Sequence, residues 1–487
     1  MTGHGRTTAR RASGLLLALL ITACGGAGDV LLAGIEGTGV VTGFGSVFVD
    51  GVEFTTDDVS VEINGEPGSE KGLRVGDVVT VVGRRPADGT AIADRIVFDR
   101  AISGPVEAAA IANDNGAIRI LEQTVLVDAN TRFIGTDADA LAPGNLVAVS
   151  GLRLGDTTLR ATSVEQLADN GIPRSFVPDT TVVDVEGRVS NLTGSSFQLG
   201  DLTVMQDGAT TLEAEAPLEN GALVEVTGTR GTTDDGPLMA TRVEVRSEST
   251  ADRSGSVFVE GVITAFNSAD DFRVDNIPAA AGSASRRDNA SASLEAGLRV
   301  SLRGEFVDGR LVADSVQVEP VPDRRVTARV ASINRESNRL ALLGIEAAVL
   351  PDTLYVDERT GADRALRVDN LASGDSVRLA GYADRDDDFV VTRLSRISDP
   401  TSASIRGPVE SRDSSSGELR VGGIRVATDT GTEFLDGSGR GISRDSFFEQ
   451  ARPGVTVTAS GPDNAGGINN ASSVQLQPAQ GEDVRPQ

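Results

Sequence analysis

Side chains able to do chemistry are scarce in this chain of 487 residues. There is one cysteine, Cys24, and one histidine, His4, both near the start. The rest of the chain has no thiol or imidazole to hold zinc. It also has no base for Ser-His-Asp or Cys-His catalysis and no disulfide. What remains is carboxylate and guanidinium chemistry. Acidic runs occur at Asp57-Asp58, Asp234-Asp235 and Asp384-Arg385-Asp386-Asp387-Asp388. Calcium needs about six to eight oxygens around one point, and none of these runs has that spacing, so they read as solvated hairpin tips. Paired carboxylates could hydrolyse glycosides, but nothing marks out one pair and the chain has no Trp to grip a sugar. The glycines of Gly37-Thr38-Gly39 and Gly43-Phe44-Gly45 lack the lysine and following helix of a phosphate loop, and read as strand and turn glycines. One constellation stands apart. Tyr355 and Tyr382 are the only tyrosines; Arg359, Arg364 and the Asp386-Asp387-Asp388 turn accompany them, in a stretch also crowded by Arg324, Arg325, Arg329, Arg335, Arg339 and Arg367. Tyr and Arg offer large contact area with a polar end, so these residues are the expected binding surface, with the turn able to take a cation or an arginine. No catalytic residue, cofactor or metal is expected.

The first residues carry a different kind of chemistry. Arg6, Arg10 and Arg11 precede an apolar run from Gly14 to Ile21. That run is too short to span a bilayer and has the order of an export signal. Ile21-Thr22-Ala23-Cys24-Gly25 resembles the lipobox of bacterial lipoproteins, so Cys24 is the expected lipidation site after removal of a signal peptide, residues 1–23. Arg10-Arg11 lacks the neighbours of a twin-arginine signal. Gly25, in place of the Asp that holds lipoproteins in the inner membrane, implies the outer membrane. The expected protein is therefore exported and lipid-anchored in the cell envelope, touching the membrane through its N-terminal lipid, with an envelope protein as a further partner. Nucleic acid is disfavoured: the net charge is -26 and aromatic residues make up only 3%.

The elements that must position any site come from a repeat. A glycine, six residues and a second glycine recur six times, at Gly76/Gly83, Gly144/Gly151, Gly221/Gly228, Gly297/Gly304, Gly374/Gly381 and Gly454/Gly461. Upstream of each lies Gly-x-Val/Ile, as in Gly39/Val41 and Gly261/Ile263, with Ala328/Val330 in the fifth copy. Downstream lies a small residue and then an aliphatic one, as in Ala93/Ile96 and Ala313/Val316, with Thr392/Leu394 in the fifth. Between them run short alternating stretches such as Val47-Phe48-Val49 and Val52-Glu53-Phe54. Period-two alternation marks half-buried strands, and glycines mark turns or bends. Val307-Asp308-Gly309-Arg310 is a two-residue hairpin signal. A longer stretch before each fourth strand has room for a turn or short helix. The fold class is all-β: a tandem array of six small five-stranded OB-like or SH3-like barrels. Their boundaries are 36–100, 101–168, 181–249, 255–320, 324–400 and 402–478, with a lipidated tether at 24–35 and a polar tail at 479–487. Each unit is expected to be a separate folded body, packed on its neighbours in sequence. The first glycine pair position and its partner, Gly297 and Gly304 in the fourth unit, are both expected at chain bends with positive φ.

Gly34-Ile35-Glu36-Gly37-Thr38-Gly39, then Gly43 to Phe54, with Arg74-Val75-Gly76-Asp77-Val78-Val79, resembles a bacterial envelope family named domain of unknown function 5666. The first unit matches best, and the others keep the glycine and valine frame. The resemblance implies small OB-like barrels and no established activity. The function expected is a non-enzymatic envelope lipoprotein acting as an interaction or spacer module. The alternative is a periplasmic protein binding a small ligand or metal ion in the mouth of one barrel.

Overall fold

Each repeat closes its alternating strands into a ring. A computed structural model describes residues 33–86, 90–112, 115–214, 216–231, 236–246, 255–288, 292–359, 365–464 and 466–478. In barrel 1 the strands are Ala33–Gly43, Val47–Val49, Val52–Thr55 with its continuation Ser60–Ile63, Val78–Arg85 and Ala91–Phe98. The first pairs antiparallel with the second and the fourth, the second with the third, and the fourth with the fifth. The third runs parallel to the fifth, which closes the ring. The same order returns in the other barrels, for example around Ser256–Ser268, Asp271–Val274, Ile277–Ala280, Arg299–Val307 and Arg310–Glu319 in barrel 4. The architecture is therefore the all-β array of OB-like barrels that the repeats imply. Alternation fills each interior: Val47, Val49, Val52 and Phe54 are all buried, while Glu53 between them is exposed. The stretch before the fourth strand holds a 3-10 turn in barrels 1, 2 and 5 and the helix Arg444–Gln450 in barrel 6. Ser443 caps that helix by accepting from Ser446 N at 3.1 Å.

The two glycines of the repeat have different reasons to exist. The first has φ between +88° and +97° in all six barrels, a region that costs an L side chain about 1–2 kcal/mol. Its N–H donates to the carbonyl of the upstream Val or Ile at 2.7–2.9 Å: Gly76 to Val41, Gly144 to Val106, Gly221 to Val189, Gly297 to Ile263, Gly374 to Val330 and Gly454 to Val409. A bond also runs back, as from Val41 N to Asp77 O at 2.8 Å. This clasp ties the Gly-x-Val frame to the Gly-x6-Gly frame. The second glycine does not need positive φ, which corrects the expectation for Gly304. It sits in a bulge, and a Cβ there would lie 2.0 Å from Val312 O. Gly83, Gly151, Gly228 and Gly381 are equally crowded by a carbonyl of the fifth strand, at 1.9–2.4 Å. In barrel 5 the residue paired with that glycine is Val391, one place before the expected Thr392.

The barrels do not follow one another as separate beads. Barrel 1 pairs with barrel 4, parallel, from Ile35↔Ser256 to Thr38↔Val259. Barrel 2 pairs with barrel 3 at Asp184↔Ser103 and Val185↔Ile102. Barrel 5 pairs with barrel 6 from Arg325↔Arg406 to Thr327↔Ser404. Cores merge accordingly: barrels 5 and 6 share one apolar cluster, barrels 2 and 3 another. The core of barrel 1 takes in Phe258 from barrel 4 and Leu354 and Val356 from barrel 5. Residues Leu32–Gln487 thus form one compact unit. First strands carry exposed backbone edges, and pairing two edges satisfies them, whichever copies meet.

Candidate functional site

The residues singled out in barrel 5 are not gathered on one surface. Cys24 and Arg364 lie outside the described residues, as do Asp234-Asp235. Tyr355 and Tyr382 are both buried, at 6% exposure, in separate apolar clusters. Neither ring is available to a partner. Burial pushes the Tyr355 hydroxyl up to about 12 and raises that of Tyr382 as well. Arg359 is exposed and held by Asp357 of its own strand end at 2.8 Å. In the acidic turn, Asp384 Oδ1 accepts from the backbone N–H of Asp386 and of Asp388 at 2.9 Å. Asp387 takes φ +62°, and the Asp388 carboxylate pairs with Arg339. The turn is organised by its own backbone and one arginine.

Of the described arginines that crowd the sequence of the fifth unit, Arg367 is the one that meets aromatic rings. Its guanidinium lies 3.6 Å over the Phe48 ring of barrel 1 and 4.7 Å from the Tyr355 ring of barrel 5. Its three nitrogens are buried and make no hydrogen bond, so the two rings supply the main attraction. Burial lowers its proton affinity. The same contact explains part of the opening motif: a Cβ on Gly43 would lie 2.1 Å from Arg367 Nη1, and one on Gly37 would lie 2.4 Å from the backbone carbonyl of Phe258. These glycines let barrels 5 and 4 approach barrel 1. A signal that sequence reasoning missed is a threonine after the third strand, or within it in barrel 5. Thr131, Thr210, Thr353 and Thr432 each donate to the carbonyl of the residue opposite or beside the bulge, at 2.7–2.9 Å. Asp-x-x-Thr, as in Asp128 to Thr131, Asp207 to Thr210 and Asp429 to Thr432, would have revealed it in three of the four.

Buried charge collects at the joints between barrels. At the 2–3 joint, Arg230 is fully buried; Nη1 reaches Glu107 at 2.7 Å, Nη2 reaches Glu122, and Nε donates to Gly236 O at 2.7 Å. Glu122 sits in a two-residue turn with Leu121, both at positive φ. At the 1–4 joint, Glu260 accepts from Val40 N and from Arg299 Nε, each at 2.7 Å, and Arg299 also meets Glu319 at 3.0 Å. Arg303 reaches Asp50 at 3.2 Å. Burial, with Glu260 adding to it, pushes the Asp50 carboxyl up to about 6 against Arg303 and Arg287. A cavity of about 20 Å³ beside Glu319, Asp352, Gln317 and Tyr382 has room for a water.

The larger openings lie between barrels, not in barrel mouths. One, of about 850 Å³, runs between barrels 2 and 5; another, of about 510 Å³, adjoins barrels 2, 5 and 6. Ala129 and Arg325 line both. Among the described residues, no three of His, Cys, Asp and Glu converge as a metal-ligand set. No helix among the described residues is long and apolar enough to cross a membrane.

Comparison with known proteins bears on the repeats. A search of curated proteins found no match. Among solved structures the chain is similar to Drosophila Unr CSD456, at 14% identity, with a TM-score of 0.14 over 45% of this chain and 99% of that one. An overlap so slight carries no argument. The domain of unknown function DUF5666 matches residues 38–97, 103–165, 186–244, 260–317 and 406–475. Those five segments are barrels 1, 2, 3, 4 and 6. Barrel 5, outside the matches, is also the copy with Ala328 for the upstream glycine and Val391 for the small bulge partner. With most of its length in these segments, the chain belongs to the DUF5666 family.

Proposed function

We propose that the protein is a non-enzymatic, lipid-anchored envelope protein that works as an interaction or spacer module. The observation that carries this reading is the filling of the barrels. Their interiors are occupied by aliphatic side chains such as Val226, Val243, Val300 and Leu311, each 0% exposed. Recognition must then use outer faces and the clefts between barrels. Six copies of one barrel, merged in pairs, supply repeated outer faces on a stiff body. Export and anchoring rest on Ile21-Thr22-Ala23-Cys24 behind a charged and apolar leader. The outer membrane is the proposed destination.

The test has two arms. Cells fed labelled palmitate should label the wild-type chain and not Cys24→Ser, and the variant should leave the membrane fraction. Photo-crosslinkers placed on exposed strand positions of the full chain should trap one discrete envelope partner. Equal labelling of Cys24→Ser overturns the anchor; turnover of a substrate by the purified chain overturns the non-enzymatic reading.

A further inference from the structure

Main-chain bonds sort the six barrels into three bodies. Strand pairing joins barrels 1 and 4, barrels 2 and 3, and barrels 5 and 6, in three separate large sheets. Among the described residues, no strand pairing joins one of these sheets to another. The bonds that tie the 5–6 pair to its neighbours use side chains. The Asp352 carboxylate accepts from the Gln317 amide of barrel 4. Thr392 Oγ1 meets Asn130 Oδ1 of barrel 2 at 2.6 Å, and Arg393 Nη1 donates to Thr131 O at 2.8 Å. Toward barrel 1 the contact is made by Leu354 and Val356 in its core and by Arg367 over Phe48. The chain enters the 5–6 pair through Pro320-Val321-Pro322, between the strands Arg310–Glu319 and Arg324–Arg329. Its two prolines have no N–H to tether it. Val321 is 47% exposed and, with Pro322, borders the 510 Å³ opening. Short loop segments of this kind absorb the rotation of a hinge.

Phe48 marks the face that barrel 5 covers. It stands on the outer side of the second strand, between buried Val47 and Val49. Strand register places Arg119, Gln198, Arg273, Ala341 and Arg420 at the same point of barrels 2 to 6. Those five are polar or small; barrel 1 alone among the six carries an aromatic ring there, and Arg367 lies on it. The contact has two opposed parts. The Phe48 ring attracts the guanidinium. The three nitrogens, buried without an acceptor, have lost their bonds to water. Parting gives up Phe48, keeps Tyr355 of barrel 5 beside Arg367, and returns water to the nitrogens. A main-chain seam such as that from Ile35 to Thr38 has no such compensation within the fold, because parting it bares two strand edges. The joint between barrels 1 and 5 is therefore the place of low local stability.

We propose that barrels 5 and 6 form a latched arm, which swings as one body about residues 320–322, and that Arg367 on Phe48 is the latch. Closed, the arm covers the outer face of barrel 1 and completes one stiff body. Open, it uncovers Phe48 and widens the 850 Å³ cleft between barrels 2 and 5. The inference is independent of lipid anchoring.

Pulsed electron spin resonance between paired nitroxide labels tests it in the full chain carrying Cys24→Ser, where introduced cysteines are the only thiols. One pair, Glu305→Cys with Arg412→Cys, spans barrels 4 and 6. The other, Glu336→Cys with Arg412→Cys, lies within the arm; all three positions are exposed. The spanning pair should give two distances and the pair within the arm one. Phe48→Arg gives barrel 1 the residue type of barrels 2, 4 and 6 at that point. It sets guanidinium against guanidinium and should raise the open-to-closed ratio at least tenfold. Arg367→Met should lower the ratio at least tenfold, because an apolar side chain needs no acceptor. A single spanning distance in the parent protein overturns the proposal. So does a closed distance kept in Phe48→Arg, an unchanged or higher ratio in Arg367→Met, or a pair within the arm that spreads along with the spanning one. Circular dichroism checks the fold of each variant; if Phe48→Arg does not fold, Phe48→Ala carries the same comparison.

Discussion

Between barrels 2 and 3, Arg230 and Arg119 face Glu107 and Glu122; between barrels 1 and 4, Asp50, Glu260 and Glu319 face Arg299, Arg303 and Arg287, with Asp352 of barrel 5 close by. Both centres are buried and both join barrels. At the first, burial pushes both carboxyls up; Arg230 and Arg119 together hold Glu122 below the usual range, while Glu107, with Glu122 beside it, stays above it despite Arg230. At the second, burial wins: Asp50 goes up to about 6, and Glu319 lies well above the ordinary value despite Arg299. The difference teaches that burial does not by itself decide the charge state. Depth of burial and like-charged neighbours, weighed against close guanidinium partners at each carboxylate, decide it.

The largest effect should come from Arg230→Met, which strands Glu107 and Glu122. Removing one partner of a buried pair costs about 3–5 kcal/mol. Urea melts should show that loss, and adding Glu107→Gln and Glu122→Gln should recover most of it. A loss below about 1 kcal/mol for the single change would erase the contrast between the centres.

Raised carboxyls, at the acid-rich joint and away from it, should announce themselves through pH. Asp50 is raised to about 6, and burial raises Asp77 and Glu225 to about 7 each. A raised carboxyl binds its proton more tightly folded than unfolded. Its contribution is full below the unfolded value near 4 and is lost as pH climbs through 6 to 7, at about 1.4 kcal/mol per unit per group. The protein should therefore be more stable at pH 5 than at pH 8. Asp50→Asn should remove about 3 kcal/mol of that dependence, mostly between pH 4 and 6. A stability profile that rises from pH 5 to 8 would reverse the assignment.

Two of the arginines that reach across these joints lie at a bulge. Arg230 follows Gly228 by two residues and Arg303 precedes Gly304 by one. Gly228→Ala and Gly304→Ala place a methyl 2.2 Å and 2.0 Å from backbone carbonyls, and overpacking of that kind costs about 1–3 kcal/mol. Thermal melts should find similar losses in both. A loss in only one would mean that the bulge supports only that joint.

The smallest effect is expected at Arg119. Its side chain is 49% exposed although it touches both carboxylates. Arg119→Ala should cost under about 1 kcal/mol. A double-mutant cycle with Glu122→Gln measures the coupling, and a value near that of Arg230 would show that the outer cation matters as much as the buried one.

Barrel count, strand order and turns were legible because they depend on neighbours in the chain. Alternation sets which face of Val47-Phe48-Val49 is buried, and Asp308-Gly309 takes φ +50° and +77° as a two-residue hairpin demands. The first glycine of each repeat was legible as a bend, and its φ near +90° is the reason. The second was legible only as a glycine, since the carbonyl crowding it comes from another strand. Tyr355 and Tyr382 looked like a surface because aromatic and cationic types adjoin in sequence. Their burial depends on Phe48 and Arg367 meeting across barrels 1 and 5 and on the small cluster with Val390.

The sequence by itself determined six OB-like barrels, because strand alternation, turn residues and the glycine frame act over a few residues. Only the tertiary structure decided that barrel 1 meets barrel 4, which charges are buried together, and where the clefts between barrels lie. First strands of similar pattern can pair with one another in many ways. The choice among them rests on close approaches such as Phe258 against Gly37 and on arginine–carboxylate contacts between residues more than a hundred positions apart, which no local pattern encodes.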